Sequence, residues 1–436
     1  MSRTSQGKQV STVGAMAGTK KVAVVGFGNI GGGVVEILYQ KGVAGLELSR
    51  VIDKDLERER SVVVPAEYLA ADWQQAVNDP QIDVVVELVG GIEPAKSVLL
   101  QALQNGKDVV TANKMLLARE GHHIFQLAST LNRRVGFRAS FVGCHSLIHE
   151  FCQAGATAKK FRRIYAILNG TCNYILSTMS RDGKGFEEAL REAQQKGYAE
   201  ADPSDDIDGI DTANKIHILL SLISNSYCAI SPFPVEGIRD ITAQDIQYAA
   251  ELGYSVKLVG VIEPKEDVFN IGVHPALVPM KSLLGSLEGA YNGTELEDEY
   301  GVVSGLVAPG AGTYPTADAV IKDLLDIAEG RTLPMPNSAK PLVLGFPEDV
   351  QRRYYLRFSL ADEAGVLAQI FDIFWKYNIS IAAVIQKEAV SREFIPVVMT
   401  THLAREGDLQ AAIEKVDKLD VVRAKTKLIR ILKADT

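Results

Sequence analysis

Apolar residues in the first third of the chain form short runs of strand length, separated by segments with a helical repeat. Residues 22–25 and 82–91 are strand-like runs, and residues 93–105 repeat with the period of a helix that stops at Gly106. Strands that alternate with helices build a parallel sheet with helices on both faces. The pattern predicts a doubly wound α/β domain over residues 21–140, with further strands ending near Asp53 and at Lys114.

The pattern changes after residue 140. Residues 161–179 begin strand-like and continue as a helix, residues 186–196 form another helix, and residues 228–300 mix both types. We expect an α+β domain over residues 141–305. A second glycine-rich turn then enters an amphipathic helix at residues 308–328. We expect the chain to return there to the first domain, over residues 306–345, and a linker is the alternative.

The C-terminal part of the chain has the order β-α-β-β-α-β. This order predicts a small ferredoxin-like domain over residues 350–436, with a hinge before it at residues 346–350. A chain of 436 residues is too long for one hydrophobic core, which agrees with several domains.

Composition narrows the class of protein. Hydrophobic residues make up 47% and charged residues 23%, as in globular proteins, and the net charge of −8 argues against nonspecific binding to nucleic acid or anionic membranes. The four cysteines show no CxxC pair or metal-site spacing, which favours thiols in a reducing compartment such as the cytoplasm. No apolar run reaches the ~18 residues of a membrane span. Residues 1–20 are predicted to be a flexible extension, with a transit peptide as the alternative.

A glycine-rich turn follows the first predicted strand. Gly26, Gly28 and Gly31 match G-x-G-x-x-G, and a predicted helix over residues 30–40 follows. These glycines permit a tight turn, a close approach of a pyrophosphate and close packing of helix on strand. The turn therefore predicts a Rossmann-type site for NAD or NADP, to which Asn29 and Ile30 also contribute.

Two neighbouring residues give opposite indications of cofactor preference. Asp53 lies 22 residues after Gly31, where an acid binds the ribose 2′-hydroxyl of NAD. Lys54 beside it is suited to the 2′-phosphate of NADP. Together the two residues favour NAD, but they do not decide between NAD and NADP.

An acidic stretch runs from Gly197 to Lys215. Its end begins a helix, on which Asp211 and Lys215 are separated by four residues and share one face. The stretch is either a reactive site or a solvated acidic loop. Its six carboxylates are Glu200, Asp202, Asp205, Asp206, Asp208 and Asp211.

Two further positions have ordinary structural alternatives. The turn Asn169-Gly170-Thr171 offers N–H groups and a hydroxyl to a carboxylate or carbonyl, or else Thr171 simply caps the helix. Lys114 lies where ligands bind to parallel sheets, or else it only opens the next helix.

Several segments together resemble the homoserine dehydrogenase family, in the family's order and over most of residues 21–330. The resemblance implies nicotinamide-dependent interconversion of L-aspartate 4-semialdehyde and L-homoserine. The matching segments are GFGNIGGGVV, DVVVELVGGIEPA, VVTANKMLLA, ILNGTCNYIL, FEEALREAQQKGYAEADPSDDIDGIDTANK and APGAGTYPTADAV.

The resemblance implies that the domain over residues 141–305 serves catalysis, substrate binding and dimerisation. It also implies roles for individual residues. Lys215 resembles the lysine that passes a proton to the carbonyl oxygen, with Asp211 orienting the substrate. Glu200 resembles the carboxylate that holds the substrate's ammonium, supported by Asp206. Lys114 matches a lysine near the nicotinamide and the substrate. The remaining matches are Gly170, Thr171 and Tyr198 near the substrate, and Gly90, Gly197, Gly310 and Gly312 near the cofactor.

The sequence departs from the family at residues 137–146. Family members have an acidic residue there that binds a monovalent cation, whereas this chain has Arg138, which cannot coordinate a cation. Ser146 stands where a proline is usual. We expect this cation site to be empty or altered, with the guanidinium in place of the ion. His145 and His149 are spaced as on one helix face, and without a third ligand we expect no metal there.

The C-terminal domain resembles the ACT domain, an amino-acid-binding module that usually pairs across an interface. Asp362 and Gly365 match its effector-contacting loop, and a purely structural dimerisation domain is the alternative. The fusion implies feedback control, with L-threonine as the expected effector, in a homodimer or homotetramer. Two other functions remain open: a dehydrogenase for a related amino-acid aldehyde, and a catalytically silent amino-acid sensor.

Overall fold

The computed structural model describes residues 18–141, 161–226, 232–265, 268–310, 312–331, 336, 342–345, 347–387 and 394–432. They form two compact units. The first unit contains the described residues of Met1–Leu116, Ile124–Ala139 and Thr316–Leu333. The second contains those of Leu117–His123, Ser140–Pro315 and Pro334–Thr436. The domain boundaries expected from the sequence stay a prediction.

The first unit is built on a six-stranded sheet with the order β3-β2-β1-β4-β5-β6, in which every pairing is parallel. This is the doubly wound order, so the predicted fold class is confirmed. Its core is apolar because β1, β4 and β5 are buried on both faces. The strands are β1 Lys20–Val25, β2 Leu46–Ile52, β3 Leu69–Ala70, β4 Val84–Glu87, β5 Asp108–Thr111 and β6 Val135–Gly136.

Helices connect these strands. The helix after the glycine-rich turn is α-helical to Val35 and then continues as a π-helical segment, Glu36–Lys41. The helices are α1 Asn29–Val35, α2 Gln74–Val77, α3 Ala95–Gln104 and α4 Lys114–Thr130.

The second unit contains an eleven-stranded sheet. Its first strands and helices, in chain order, are β7 Phe161–Ile167, α5 Gly170–Asp182, α6 Phe186–Gln195, α7 Ser204–Ile207, α8 Ile210–Ile223, α9 Ala243–Glu251, β8 Tyr254–Lys265, β9 Val268–Pro279, β10 Tyr291–Asp298 and β11 Val303–Pro309. The helix α10 Thr313–Ala328 and the short strand β12 Val343–Leu344 follow. From Thr316 onwards, α10 belongs to the first unit.

The C-terminal module has the predicted β-α-β-β-α-β order, with the strands arranged β17-β13-β15-β14. Its elements are β13 Gln351–Leu360, α11 Val366–Lys376, β14 Ile381–Gln386, β15 Ile395–Thr401, β16 Ala404–Arg405, α12 Glu406–Val416 and β17 Val422–Ile431. The last strand, β17, pairs with β9, so the sheet of this module continues the sheet of the preceding domain. The short segment before it, Pro347–Asp349, is a 3-10 turn.

One local expectation was wrong, and one alternative is ruled out. The strand expected to end at Lys114 ends at Thr111, and Lys114 opens α4 because the Asn113 side chain caps that helix. The alternative in which Thr171 caps α5 is wrong, since Asn169 caps that helix. The helix that carries Asp211 and Lys215 begins at Ile210, directly after Gly209, whose φ of 83° is left-handed.

Among the described residues, no helix is both long and apolar enough to cross a membrane.

Candidate active site

A buried ion pair lies in the second unit. On α8, the Lys215 ammonium donates to Asp211 Oδ2 at 2.8 Å and to the carbonyl oxygen of Leu168 at 2.5 Å. The helical spacing brings the two charged side chains together, and β7 delivers the carbonyl at the end of the strand. Only 6% of Lys215 and 5% of Asp211 is exposed, so water screens the pair little.

Asn169 joins this pair to a second carboxylate. Its Nδ2 donates to Asp206 Oδ1 at 2.7 Å and to Asp211 Oδ2 at 3.0 Å, while its Oδ1 accepts from the backbone N–H of Cys172 at 2.8 Å. Asn169 lies in the turn predicted from the sequence, but its side chain was not predicted to belong to the site. An asparagine between a strand and a helix was the available signal, because it is a favoured N-cap.

Glycines allow close backbone approach beside the pair. A Cβ on Gly170 would lie 2.7 Å from the Ala290 carbonyl oxygen, so a larger residue does not fit. The same oxygen accepts from Gly310 N–H at 3.2 Å, and Asn292 Nδ2 donates to the Leu168 carbonyl at 3.2 Å. The structure therefore brings Gly310, which is distant in sequence, next to the turn at Gly170.

The other expected substrate residues lie around the acidic stretch. Thr171 Oγ1 donates to the Tyr198 carbonyl at 2.6 Å, and the Tyr198 ring packs 4.6 Å from Tyr174. Gly197 has φ 76°, which turns the chain into this segment. Glu200 is exposed, and within the described residues its carboxylate makes no hydrogen bond or ion pair. The structure thus brings Thr171 and Tyr198 together and leaves the Glu200 carboxylate facing solvent.

Burial shapes the chemistry of neighbouring groups. Burial raises the pKa of the Cys172 thiol well above its usual value, with the charge of Asp206 acting in the same direction, so the thiol stays neutral beside the pair. Burial also lowers the pKa of Lys257 to about 8. The Lys257 ammonium donates to Asn173 Oδ1 at 3.0 Å. No role for this lysine was predicted from the sequence.

The first unit contains the glycine-rich turn. Gly26 has φ 105°, and a Cβ there would lie 2.6 Å from the Leu88 backbone, while a Cβ on Gly31 would lie 2.0 Å from the Gly26 carbonyl. Around Gly28, the N-cap of α1, no atom lies within 4 Å of an added Cβ. This tight turn with an open second glycine fits a bound pyrophosphate, and Asn29 and Ile30 begin the helix behind it.

The acid after β2 is engaged by its own loop. Asp53 accepts from the Phe27 N–H at 2.8 Å and from the Asp55 N–H at 3.0 Å. The Arg60 guanidinium lies 3.6 Å from the same carboxylate and donates to the Phe27 carbonyl at 3.0 Å. Although burial opposes them, these hydrogen bonds and the Arg60 charge leave the pKa of Asp53 lowered. Lys54 is exposed.

A buried carboxylate supports the loop after β4. Glu87 accepts from the N–H groups of Val89 at 2.9 Å and Gly90 at 3.3 Å, and from the Thr111 hydroxyl at 2.6 Å. Burial nevertheless raises its pKa. The position of Gly90, with φ 74°, is thereby fixed at the edge of the sheet where such folds bind their cofactor. Glu87 was not among the site residues predicted from the sequence.

Arg138 forms a second buried ionic cluster, in the first unit. Its guanidinium lies 2.6 Å from Asp323 Oδ1 and 2.6 Å from Asp326 Oδ2, and its N–H donates to Asp323 Oδ2 at 2.8 Å. Among the described residues, no group of three or more His, Cys, Asp or Glu side chains is placed to hold a metal ion. His145, Ser146 and His149 lie outside the described residues.

In the C-terminal module, the expected effector loop precedes α11. Gly365 is the N-cap of that helix with φ 90°, and Asp362 is exposed.

Known protein families match this chain from the first unit to the C-terminal module. The family model described as homoserine dehydrogenase matches residues 147–325, that of the homoserine dehydrogenase NAD binding domain matches residues 26–138, and that of the ACT domain matches residues 354–421. The homoserine dehydrogenase of Synechocystis is 36% identical over 434 residues, which covers 95% of this chain and 100% of the relative. That of Neisseria gonorrhoeae is 34% identical, over 94% of this chain and 98% of the relative. The crystal structure of a homoserine dehydrogenase from Thiobacillus denitrificans has a TM-score of 0.84 at 35% identity, with 95% of this chain and 98% of that chain covered.

Proposed function

The chain belongs to the homoserine dehydrogenase family, and from that premise we propose how its own residues carry out the reaction. It interconverts L-homoserine and L-aspartate 4-semialdehyde with NAD or NADP, a step in the biosynthesis of threonine, methionine and isoleucine. The bound nicotinamide supplies or accepts a hydride at the carbon that carries the reacting oxygen. The observation that supports the residue roles is the buried contact of Lys215 with Asp211 and the Leu168 carbonyl.

Lys215 is the proton donor in the direction of reduction. An ammonium has three N–H bonds, and Asp211 and the Leu168 carbonyl account for two of them. The third serves the substrate oxygen, where it stabilises the developing alkoxide and then transfers its proton. In the reverse direction the neutral amine takes the hydroxyl proton of homoserine.

Glu200 and Asp206 hold the amino group of the substrate. The Glu200 carboxylate is exposed and, in the described part of the chain, has no internal charged partner, so a substrate ammonium can pair with it. Asp206 is anchored by Asn169 and lies on the neighbouring helix α7. Gly170, Thr171 and Tyr198 form the wall of the substrate site, and Lys114 acts near the nicotinamide.

A direct assay tests this assignment. Purified protein is mixed with L-homoserine and either NAD or NADP, and reduced nicotinamide is followed by its absorbance. We expect turnover in the wild type and its loss in Lys215→Ala. No turnover with either cofactor, in a folded sample that binds nucleotide, would favour the silent sensor. Faster oxidation of the alcohol that corresponds to another amino-acid aldehyde would favour the related dehydrogenase. A Lys215→Ala variant with the wild-type rate would refute the role of the lysine.

We also propose that the enzyme accepts NADP. The sequence favoured NAD because of Asp53. That carboxylate, however, accepts a hydrogen bond from the Phe27 N–H, and the nearby Arg60 guanidinium partly offsets its negative charge. Its repulsion of a 2′-phosphate is therefore reduced, and exposed Lys54 can pair with the phosphate. For Lys54→Ala we expect kcat/KM to fall about 5-fold with NADP and to stay constant with NAD. Equal losses with both cofactors would contradict a role in preference.

The cation site of the family is proposed to be replaced by Arg138. The guanidinium already lies between two carboxylates, so it supplies the positive charge that a bound ion would contribute. Turnover measured in tetramethylammonium buffer should not rise when sodium or potassium is added. A strong activation by either ion would show that a cation site is present.

The ACT domain supports control by an amino-acid effector, for which we propose L-threonine and the loop of Asp362 and Gly365. Threonine should inhibit turnover, and Asp362→Ala should raise the threonine concentration that gives half inhibition. Inhibition by another end-product amino acid at lower concentration would reassign the effector.

We propose that two copies of the chain pair through the C-terminal module. Among the described strands, β14 pairs only with β15 and so forms one edge of the eleven-stranded sheet. Trp375, which is 75% exposed, and Phe371 line a surface cavity with Ile381 at the start of β14, and Val384 on the strand is also exposed. Apolar side chains beside an open strand edge suit pairing with an identical edge. Light scattering should give a dimer or a tetramer, and Trp375→Asp should lower the mass. A monomeric wild type at micromolar concentration would contradict the pairing.

The proposed location is the cytoplasm, which suits a reaction that depends on the nicotinamide pool and a chain whose Cys172 is a free thiol. Cell fractionation tests this location.

A further inference from the structure

We propose that Asn169 is a positioning residue of the active site, whose side-chain amide holds Asp206 and Asp211 in place for Lys215. This inference deepens the proposed function and rests on it.

The amide uses both of its N–H donors and its oxygen in the site. Its two N–H bonds go to two different carboxylates, at 2.7 Å for Asp206 and 3.0 Å for Asp211, and its oxygen accepts from the Cys172 N–H. Only 4% of Asn169 is exposed, so water cannot readily replace these contacts. Asp211 is buried and Asp206 is half-buried, and two carboxylates this close repel each other, so that one of them tends to take up a proton. A donor between them allows both to remain ionised.

Asn169 also orients Asp211, the carboxylate that pairs with Lys215. Asp211 Oδ2 accepts from both Asn169 and Lys215, so the amide fixes which oxygen faces the ammonium. It also withdraws electron density from that oxygen, which limits how strongly the carboxylate raises the proton affinity of the lysine.

The backbone at this position adds to the arrangement. The other acceptor of Lys215, the Leu168 carbonyl, belongs to the peptide group that ends in Asn169 N. One short segment between β7 and α5 therefore orients the ammonium through its carbonyl and the carboxylates through its side chain.

A purely structural role is the competing explanation, since Asn169 is also the N-cap of α5. The two roles can be separated by substitution. Serine and aspartate cap helices about as well as asparagine. Serine is too short to bridge the two carboxylates, and aspartate replaces the donor with a third negative charge. Alanine removes both the cap and the bridge.

The experiment compares wild type, Asn169→Ser, Asn169→Asp and Asn169→Ala for homoserine oxidation across pH, together with their thermal unfolding. In Asn169→Ser we expect kcat to fall about 10- to 100-fold, as for loss of a hydrogen bond to a charged group, with an unfolding midpoint close to that of the wild type. The acid limb of kcat should move to higher pH, because loss of the donor raises the pKa of the carboxylates and of the lysine they face. Asn169→Asp should move the limb further in the same direction.

A wild-type kcat and an unmoved acid limb in a folded Asn169→Ser would overturn the proposal and leave only the cap. If Asn169→Ser does not fold, the kcat and the acid limb of Asn169→Asp decide between the positioning role and the cap. Lys215→Ala is measured beside them, so that a failure of the positioning role can be distinguished from a failure of the site assignment. If Lys215→Ala is inactive while the Asn169 variants behave as wild type, only the positioning role fails. If Lys215→Ala is active, the assignment of the site itself fails.

Discussion

The two units each contain a buried cation that contacts a buried carboxylate, and the two clusters differ in how a second carboxylate is joined to them. In the arginine cluster, Arg138 contacts Asp323 and Asp326. In the lysine cluster, Lys215 contacts Asp211, and Asn169 joins Asp206 to the group. In each cluster the second carboxylate, Asp326 or Asp206, is less buried than the first.

The second carboxylate is stabilised by different means. In the arginine cluster, a second guanidinium, that of Arg331, lies 3.1 Å from Asp326, while burial raises the pKa of Asp323 to about 7 against the opposing charge of Arg138. In the lysine cluster, the amide of Asn169 donates to both carboxylates. A guanidinium does not release its proton, whereas an ammonium can. Under the proposed function, the first cluster stabilises structure and the second serves proton transfer.

The largest expected effect comes from making the lysine cluster resemble the arginine cluster. Lys215→Arg keeps the positive charge and its pairing with Asp211 but removes the transferable proton. We expect kcat to fall about 10³-fold, the loss typical of a missing general acid or base, while the unfolding midpoint changes little. Steady-state kinetics with L-homoserine measure the effect. An arginine variant within 10-fold of the wild type would show that charge alone suffices.

The next effect concerns stability. Arg138→Met leaves the buried Asp323 carboxylate without its cation, while Asp326 keeps Arg331, and we expect the free energy of unfolding to fall by about 3–5 kcal/mol. Urea denaturation of the wild type and the variant measures it. Asp326→Asn serves as a control, because it removes one carboxylate and leaves Arg138 paired with Asp323. A variant as stable as the wild type would show that the cluster is not a structural element.

The pH dependence of the same variant follows from the raised pKa of Asp323. A carboxyl whose folded pKa lies above its unfolded value of 3.8 contributes stability below about pH 4, and that contribution is lost as pH rises towards the folded value of about 7. Removing Arg138 raises the folded pKa further, because the charge that lowered it is gone. The stability difference between wild type and Arg138→Met should therefore be nearly constant below about pH 6 and grow as the pH rises through about 7. A difference independent of pH would contradict this account of the cluster.

How far the sequence predicted these features depends on the range of the contacts. The parallel sheet and the C-terminal module were predictable because apolar periodicity is local, and so was the pairing of Asp211 with Lys215, four residues apart on one helix. The partners of Arg138 were not, since Asp323 lies 185 positions later in the chain. The bridging by Asn169 spans 42 positions to Asp211 and depends on how β7 and α8 pack. The pairing of β17 with β9 depends on tertiary contacts in the same way.

A conservative change in the arginine cluster should have a smaller effect. Arg138→Lys keeps a buried charge but loses the planar fork that contacts both carboxylates at once. We expect a loss of about 1–3 kcal/mol in the free energy of unfolding, from one charged hydrogen bond that is no longer made. Denaturant titration at pH 7 measures it. A loss as large as that of Arg138→Met would show that the fork, and not the charge, holds the cluster.

The smallest expected effect is at an exposed ion pair beside the lysine cluster. Asp208 pairs with Arg239, and 42% and 49% of their side chains are exposed, so water screens the pair and offsets its attraction. The hydrogen bond from Arg239 lowers the pKa of Asp208, which keeps this carboxylate ionised and occupied at neutral pH. For Asp208→Ala we therefore expect kcat within about 2-fold of the wild type and an unfolding midpoint within about 1 °C. Kinetics and calorimetry check both values. A large loss of kcat would mean that the exposed carboxylates of the acidic stretch take part in the chemistry, and the distinction between buried, bridged carboxylates and solvated ones would no longer hold.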